Sequence, residues 1–115
     1  MTHITKRGTL DRSDIVRALE ERQAVLMTYA SGGLRTVQPH AIVRKPDGTE
    51  ILEAYQTRGS DSDGEYGWRS FDVARIETFE LLPERFEPRR DFRPVSGVSG
   101  QVVAVVRGSE TVAGI

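Results

Sequence analysis

The feature that most constrains this chain is a change of period at Ala24. Before it, Ile15, Val16 and Leu19 form one apolar stripe, with Arg17, Glu20 and Glu21 outside it. After it, apolar and polar residues alternate in short runs broken by turn signals, which is strand spacing. A chain written this way is committed to one short helix followed by a mainly β body.

The helix is predicted to start near Asp11 and to run for about three turns. Asp11 can cap it, Asp14 follows three residues on, and Leu10 and Ile15 are placed to staple the cap. A helix this short must lean on other elements. Strands are predicted at Ala24–Tyr29, Leu34–Val43, Glu50–Arg58, Trp68–Asp72 and Glu77–Leu82. The first turn is Ser31-Gly32-Gly33 and the second Pro46-Asp47-Gly48. Pro39 has no N–H to give to a ladder, so the second strand should bend or lie at an edge. Val73–Ile76 reads as a single turn. Strands this short favour a small closed or nearly closed five-stranded barrel, which also removes open edges.

Residues 1–10 read as a polar arm, 11–88 as the barrel domain and 89–115 as a C-terminal extension. Within the extension, 95–100 is Gly/Ser-rich, and Val102–Val106 is too apolar for a free tail. That run is expected to add a strand to this barrel or to a neighbour's. The segment Arg85–Arg93 alternates arginines with Phe86 and Phe92. It is read as a connector whose rings pack on the barrel, in preference to a track for a nucleic-acid backbone.

Composition removes several classes of function. There is no cysteine, which excludes disulfides, thiolate catalysis and Cys-ligated metal. With 16 basic and 17 acidic residues the net charge is −1, unlike a whole-surface nucleic-acid binder, although a local basic patch remains open. Lysine occurs only at Lys6 and Lys45, so the cations are almost all arginines, suited to two-pronged contact with carboxylate or phosphate. A GC-rich genome would give the same bias. Met1 to Arg12 has no apolar signal-peptide core, and no apolar run approaches the roughly 18 residues of a membrane span. The expected compartment is therefore the cytoplasm, with no membrane partner.

Four pieces of the chain, taken in order, resemble the WYL domain family. They are DIVRALEERQAVLMTY, LRTVQPHAI, DGTEILEAYQTRG and GWRSFDVARIETFELL, spanning roughly residues 13–86. They place a helix before a strand ending in Tyr29, then Arg35 four residues before Pro39, then an Arg-x-Phe-x-x-x-Arg-Ile segment from Arg69 to Ile76. The family's naming Trp-Tyr-Leu is replaced by Glu50-Ile51-Leu52, the mark of a divergent member with lost or altered ligand preference. The resemblance implies an SH3-like or Sm-like barrel and a regulatory role in bacterial transcription or defence. It also implies binding of a nucleic acid or another anionic ligand.

The resemblance puts Arg35, Arg69 and Arg75 at the family's basic positions, where a barrel can bring them around one cleft. Tyr55 and Tyr29 are candidate stacking surfaces, Tyr55 favoured for its polar end. Phe71 is expected in the core, and Trp68 fits either place. His40 is a candidate phosphate donor, weighed against an ordinary strand histidine. Gln56, Arg58 and Ser60 form a candidate rim, beside an acidic loop from Asp61 to Glu65 that would repel phosphate. With His3 in the N-terminal arm, no metal pair is expected, and no cofactor.

No phosphate loop, nucleophile elbow or metal motif is present, so the chain is read as non-catalytic. Glu50 and Glu53 lie three apart on a strand and face opposite sides. The expected function is a sensor domain binding single-stranded nucleic acid or a nucleotide in an Arg- and Tyr-lined cleft. The alternative is a protein-interaction or homo-oligomerisation module, or a regulatory-protein partner's docking site, built on the C-terminal apolar strand.

Overall fold

The structure, a computed structural model, describes residues 12–30, 32–59, 67–92 and 100–109. It contains helix α1 (Arg12–Glu21) and strands β1 (Gln23–Tyr29), β2 (Leu34–Arg44), β3 (Glu50–Gly59), β4 (Gly67–Asp72), β5 (Ile76–Arg85) and β6 (Gln101–Val105). A 3₁₀ turn, Val73–Arg75, links β4 to β5. Asp11, Leu10, Ser60, the acidic loop, the N-terminal arm and residues 95–99 of the Gly/Ser stretch lie outside the described residues.

The strands form one antiparallel sheet in the order β4-β3-β2-β1-β5, with β6 also paired to β2. Mainly β architecture with one leading helix is what the sequence pattern predicted. The ladder is barrel-like but not closed, because β4 and β5 are joined by the 3₁₀ turn and share no pairing among the described residues. The sixth strand is the Val102–Val106 run, and it pairs within this chain.

β2 carries this topology because it serves two partners on one edge. Leu34 to Val37 pairs with β1, and Ala41 to Arg44 pairs with β6. β3 runs along the other edge from Arg35 to Arg44, with a register shift between Pro39 and Ala41. Pro39 therefore sits where β1 has ended and β6 has not begun. The missing N–H coincides with this register shift, and β2 is a central strand and not an edge. The β2–β3 hairpin closes through Gly48 N–H on the Lys45 carbonyl at 2.8 Å, with Gly48 at φ 91°. Asp47 accepts from Thr49 N–H at 2.9 Å, the usual Asx-turn contact.

Ile15, Ala18 and Leu19 of α1 are buried against a core of Val25, Met27, Val37, Ile42, Leu52, Phe71, Ile76 and Phe79. The end of α1 is tied to the C-terminal segment. Arg107 N–H donates to the Leu19 carbonyl at 3.0 Å and Arg107 Nε to the Glu20 carbonyl at 3.1 Å. These are orphan carbonyls of a helix end, which need outside donors. Arg22 follows at φ 55°, a left-handed helix stop, and its carbonyl accepts from Phe86 N–H at 3.0 Å. At the other end of α1, Arg12 and Arg44 both reach Glu50 Oε2, at 3.2 and 3.0 Å, across the hairpin. No helix among the described residues is long and apolar enough to cross a membrane.

Docking of β6 leaves Gly100 no room for a side chain. A Cβ there would lie 2.7 Å from Val43 Cγ1 and 3.1 Å from the Arg44 carbonyl oxygen. Gly100→Ala is expected to destabilise the fold by about 1–3 kcal/mol, as overpacking does. Chemical denaturation measures this, and an unchanged midpoint would show that β6 is not seated on β2.

Candidate functional site

Strand alternation sorts the candidate residues onto two opposite faces. On β3, Leu52, Ala54 and Gln56 point into the barrel, and Ile51, Glu53 and Tyr55 point away from it. The β4 register sets Phe71 opposite Leu52, Arg69 opposite Ala54, and Trp68 opposite Tyr55. Arg69 and Phe71 therefore belong to the inner face, and Tyr55 and Trp68 to the outer one.

The inner face carries a chain of cations and rings. Arg35 lies 5.6 Å from the Phe71 ring centre, Phe71 meets Tyr29 edge-on at 5.2 Å, and Arg75 lies 5.8 Å from the Tyr29 ring. Tyr29 is fixed because its hydroxyl oxygen accepts from Asp72 N–H at 2.8 Å. Arg35 is only 8% exposed. Its Nη2 donates to the Gly32 carbonyl at 2.8 Å, and its Nη1 makes a long 3.4 Å contact with Gln56 Oε1. Its Nε is buried with no hydrogen-bond partner. A buried donor left this way costs about 1–3 kcal/mol. Gly32, at φ 100°, supplies the carbonyl, so the glycine turn predicted before β2 also positions Arg35.

The outer face carries a different assembly, covered by the strap Phe86–Phe92 that follows β5. The Arg89 guanidinium lies 3.4 Å over the Tyr55 ring, and Arg89 Nε donates to Gln38 Oε1 at 3.1 Å. Trp68 Nε1 donates to Asp91 Oδ2 at 2.9 Å, and the Trp68 ring stacks on Phe92 at 5.5 Å. The Trp68 indole hydrogen bond holds the Asp91 carboxyl below its ordinary value. Beneath the strap, His40 is fully buried among Trp68, Phe86 and Phe92, with ring centres 4.9 to 5.3 Å away. Burial pushes its pKa below the ordinary value, against the raising effect of the Gln38 carbonyl. A shallow groove of about 630 Å³ runs beside the strap, between Gln38 and the Arg85–Asp91 stretch.

The structure thus gathers Arg35, Arg75 and Tyr29 in one group, with Arg69 on the same face. It separates them from Tyr55 and His40. Arg58 pairs with Thr36, the neighbour of Arg35, and so takes the opposite face from Arg35; it is exposed. His40, a candidate phosphate donor in the sequence, is buried with both ring nitrogens engaged. Nε2 faces Arg89 N–H at 3.1 Å and Nδ1 faces the Gln38 carbonyl at 2.8 Å. Ser70 hydrogen-bonds Glu53 at 2.9 Å, away from His40. Phe71 is in the core and the rings of the strap pack on the barrel, both as the sequence predicted. Sequence reasoning missed Arg89 and Asp91 as partners of the outer face. Their only signal was spacing from Phe86 and Phe92, which does not say which ring each would meet.

Comparison with protein families matches the WYL domain model over residues 12–81. The chain belongs to the WYL-domain family. Comparison with curated proteins and with solved structures gave no significant match. The match spans α1 to most of β5, so in this WYL domain the strap and β6 lie beyond the matched residues. The altered naming tripeptide has a structural account. Leu52 is fully buried opposite Ile42 and Phe71, so the third position keeps its core role. The first position, Glu50, carries the Arg12 and Arg44 ion pairs, and Ile51 is half-buried between Val43 and Asp72.

If Arg35 is retained for a ligand and not for the fold, Arg35→Met should leave stability within about 1 kcal/mol of the wild type. Removing the stranded Nε offsets the lost bonds to Gly32 and Gln56. Urea unfolding reads this directly. A loss above about 3 kcal/mol would identify Arg35 as a structural clamp.

Proposed function

We propose that this WYL domain is a non-catalytic sensor that binds an anionic ligand, a single-stranded nucleic acid or a nucleotide, at the inner-face arginines. The family is one of regulatory and sensor domains. The observation that carries the reading is Arg35, a nearly buried cation whose Nε has no partner. An acceptor oxygen on that edge of the guanidinium would complete it, and a charge-assisted hydrogen bond there is stronger than a neutral one.

Arg69 extends the positive charge along the same face, and Tyr29 leads from Phe71 to the exposed Arg75 of the 3₁₀ turn. Tyr55, His40 and Arg58 are not part of this proposed site, because they face the other way. Binding would bias a partner or an assembly, which is how a sensor domain acts without chemistry of its own. The alternative, an interaction module donating the C-terminal strand, has to reckon with β6 being paired to β2 of its own chain.

Fluorescence anisotropy with labelled mixed-sequence single-stranded DNA, at low and moderate salt, tests the proposal. Binding should weaken as salt rises, because phosphate contacts release counterions. Arg69→Ala should weaken it by about tenfold or more, a loss of about 1.4 kcal/mol, with the melting temperature within a few degrees of wild type. No binding at high protein concentration would move the weight to the interaction module. A collapse of the fold would make Arg69 structural.

A further inference from the structure

We propose that the Phe86–Phe92 strap is a pH-operated latch, held on the outer face of the β2–β3–β4 sheet by neutral His40 and released when His40 takes up a proton. The argument starts from donor and acceptor count. The Arg89 backbone N–H can only donate, so His40 Nε2 must accept it, at 3.1 Å. The Gln38 carbonyl can only accept, so His40 Nδ1 must carry the proton, at 2.8 Å. One tautomer of neutral imidazole satisfies both, and the doubly protonated ring satisfies only one. Protonation sets an N–H against the Arg89 N–H.

The surroundings give the imidazolium little compensation. Trp68 of β4 and Phe86 and Phe92 of the strap pack on the ring, and none of them carries a charge. From the strap, Arg89 opposes a second positive charge and Asp91 favours it. On β3 the outward titratable groups are Tyr55, which lies under Arg89 and beside Trp68, and Glu53, which is hydrogen-bonded by Ser70. The end of β6 presents backbone, Val106 N–H to the His40 carbonyl at 2.8 Å. Burial and Arg89 outweigh the Gln38 carbonyl and Asp91, so the folded value lies below 6.5. The sign follows from linkage. His40 supports the latched state fully above pH 6.5, and that support is lost as pH falls through the lower folded value.

The Arg89–Phe92 end of the strap is held on this face by His40 with Arg89, Arg89 with Tyr55 and Gln38, and Trp68 with Asp91 and Phe92. The start of the strap is tied elsewhere, Phe86 N–H to the Arg22 carbonyl at 3.0 Å and Glu87 to Arg22 at 4.0 Å, so opening is confined to the Arg89–Phe92 end. The barrel core of Val25, Met27, Val37, Leu52 and Phe79 contains no strap residue except the neighbouring Phe86. Release uncovers the Tyr55 ring and the part of the Trp68 ring that Phe92 stacks on, Trp68 being 37% exposed already. It leaves Arg35 and Arg69 in place, since these lie on the reverse of β2 and β4.

Trp68 is the chain's single tryptophan, so its emission reports the latch directly. Emission and far-UV circular dichroism are followed together from about pH 8 to about pH 5. The expected result is an emission step to longer wavelength below pH 6.5, with the circular dichroism unchanged. His40→Gln keeps an acceptor and cannot titrate, so the step should vanish. Asp91→Asn keeps an acceptor for the indole and should retain it. A step that survives in His40→Gln, or one that coincides with loss of circular dichroism, overturns the proposal. Should His40→Gln fail to fold, nitrogen-15 imidazole spectra of the wild type decide, with His3→Ala separating the two histidines. They should show an Nδ1-protonated ring at neutral pH. On titration, the Arg89 amide and Trp68 indole signals should move with His40 while those of β1 and β5 stay. No His40 titration before global unfolding overturns the latch.

Discussion

The interruption at Pro39 and His40 in β2 is the constraint on which the rest depends. A strand with two successive partners on one edge needs a place to change from one to the other. Pro39 supplies it by lacking an N–H, and the register shift to Ala41 leaves His40 as the extra residue. β1 pairs before the break and β6 after it. The break also presents His40 to the strap while its carbonyl accepts from Val106. One irregularity thus seats the C-terminal strand, carries the strap and bends the sheet toward a barrel.

Two faces of β3 and β4 then hold two unlike arrangements. Inside, Arg35, Phe71 and Tyr29 form a line with one stranded donor, and the line ends at the exposed Arg75 of the 3₁₀ turn. Outside, His40 is buried, Tyr55 is half-covered and Trp68 is 37% exposed, and their ring and polar groups are met by Gln38, Arg89 and Asp91. The contrast has a physical meaning. Polar groups buried for structure are normally satisfied, and the outer face meets that rule. The inner face leaves one donor unmet, at the basic position that the family resemblance had picked out. Because neighbouring residues on a strand face opposite ways, Tyr55 and Gln56 belong to different assemblies although they are joined by one peptide bond.

Period and turn chemistry are local properties, and they carried most of the fold. The Ile15–Leu19 stripe, the alternation in β1 and β3, Gly32-Gly33 and the Pro46–Gly48 turn each correspond to an observed element. What spacing could not convey was pairing. It did not say that β2 would be central, that β6 would take over the β1 edge, or that Arg107 would cap α1. Each of these joins residues far apart in the chain, and no local rule specifies a partner at that distance.

The same division applies to the candidate site. The sequence by itself determined the chemistry available: many arginines, a few aromatics, no cysteine, and an order of pieces that belongs to the WYL-domain family. Only the tertiary structure decided which of them meet. It put Arg35, Tyr29 and Arg75 together and turned Tyr55 and Arg58 away. It buried His40, which the sequence offered as an ordinary strand histidine first and a phosphate donor second. The reason is that a side chain's face follows from strand register and bulges, and a shift of one residue reverses it.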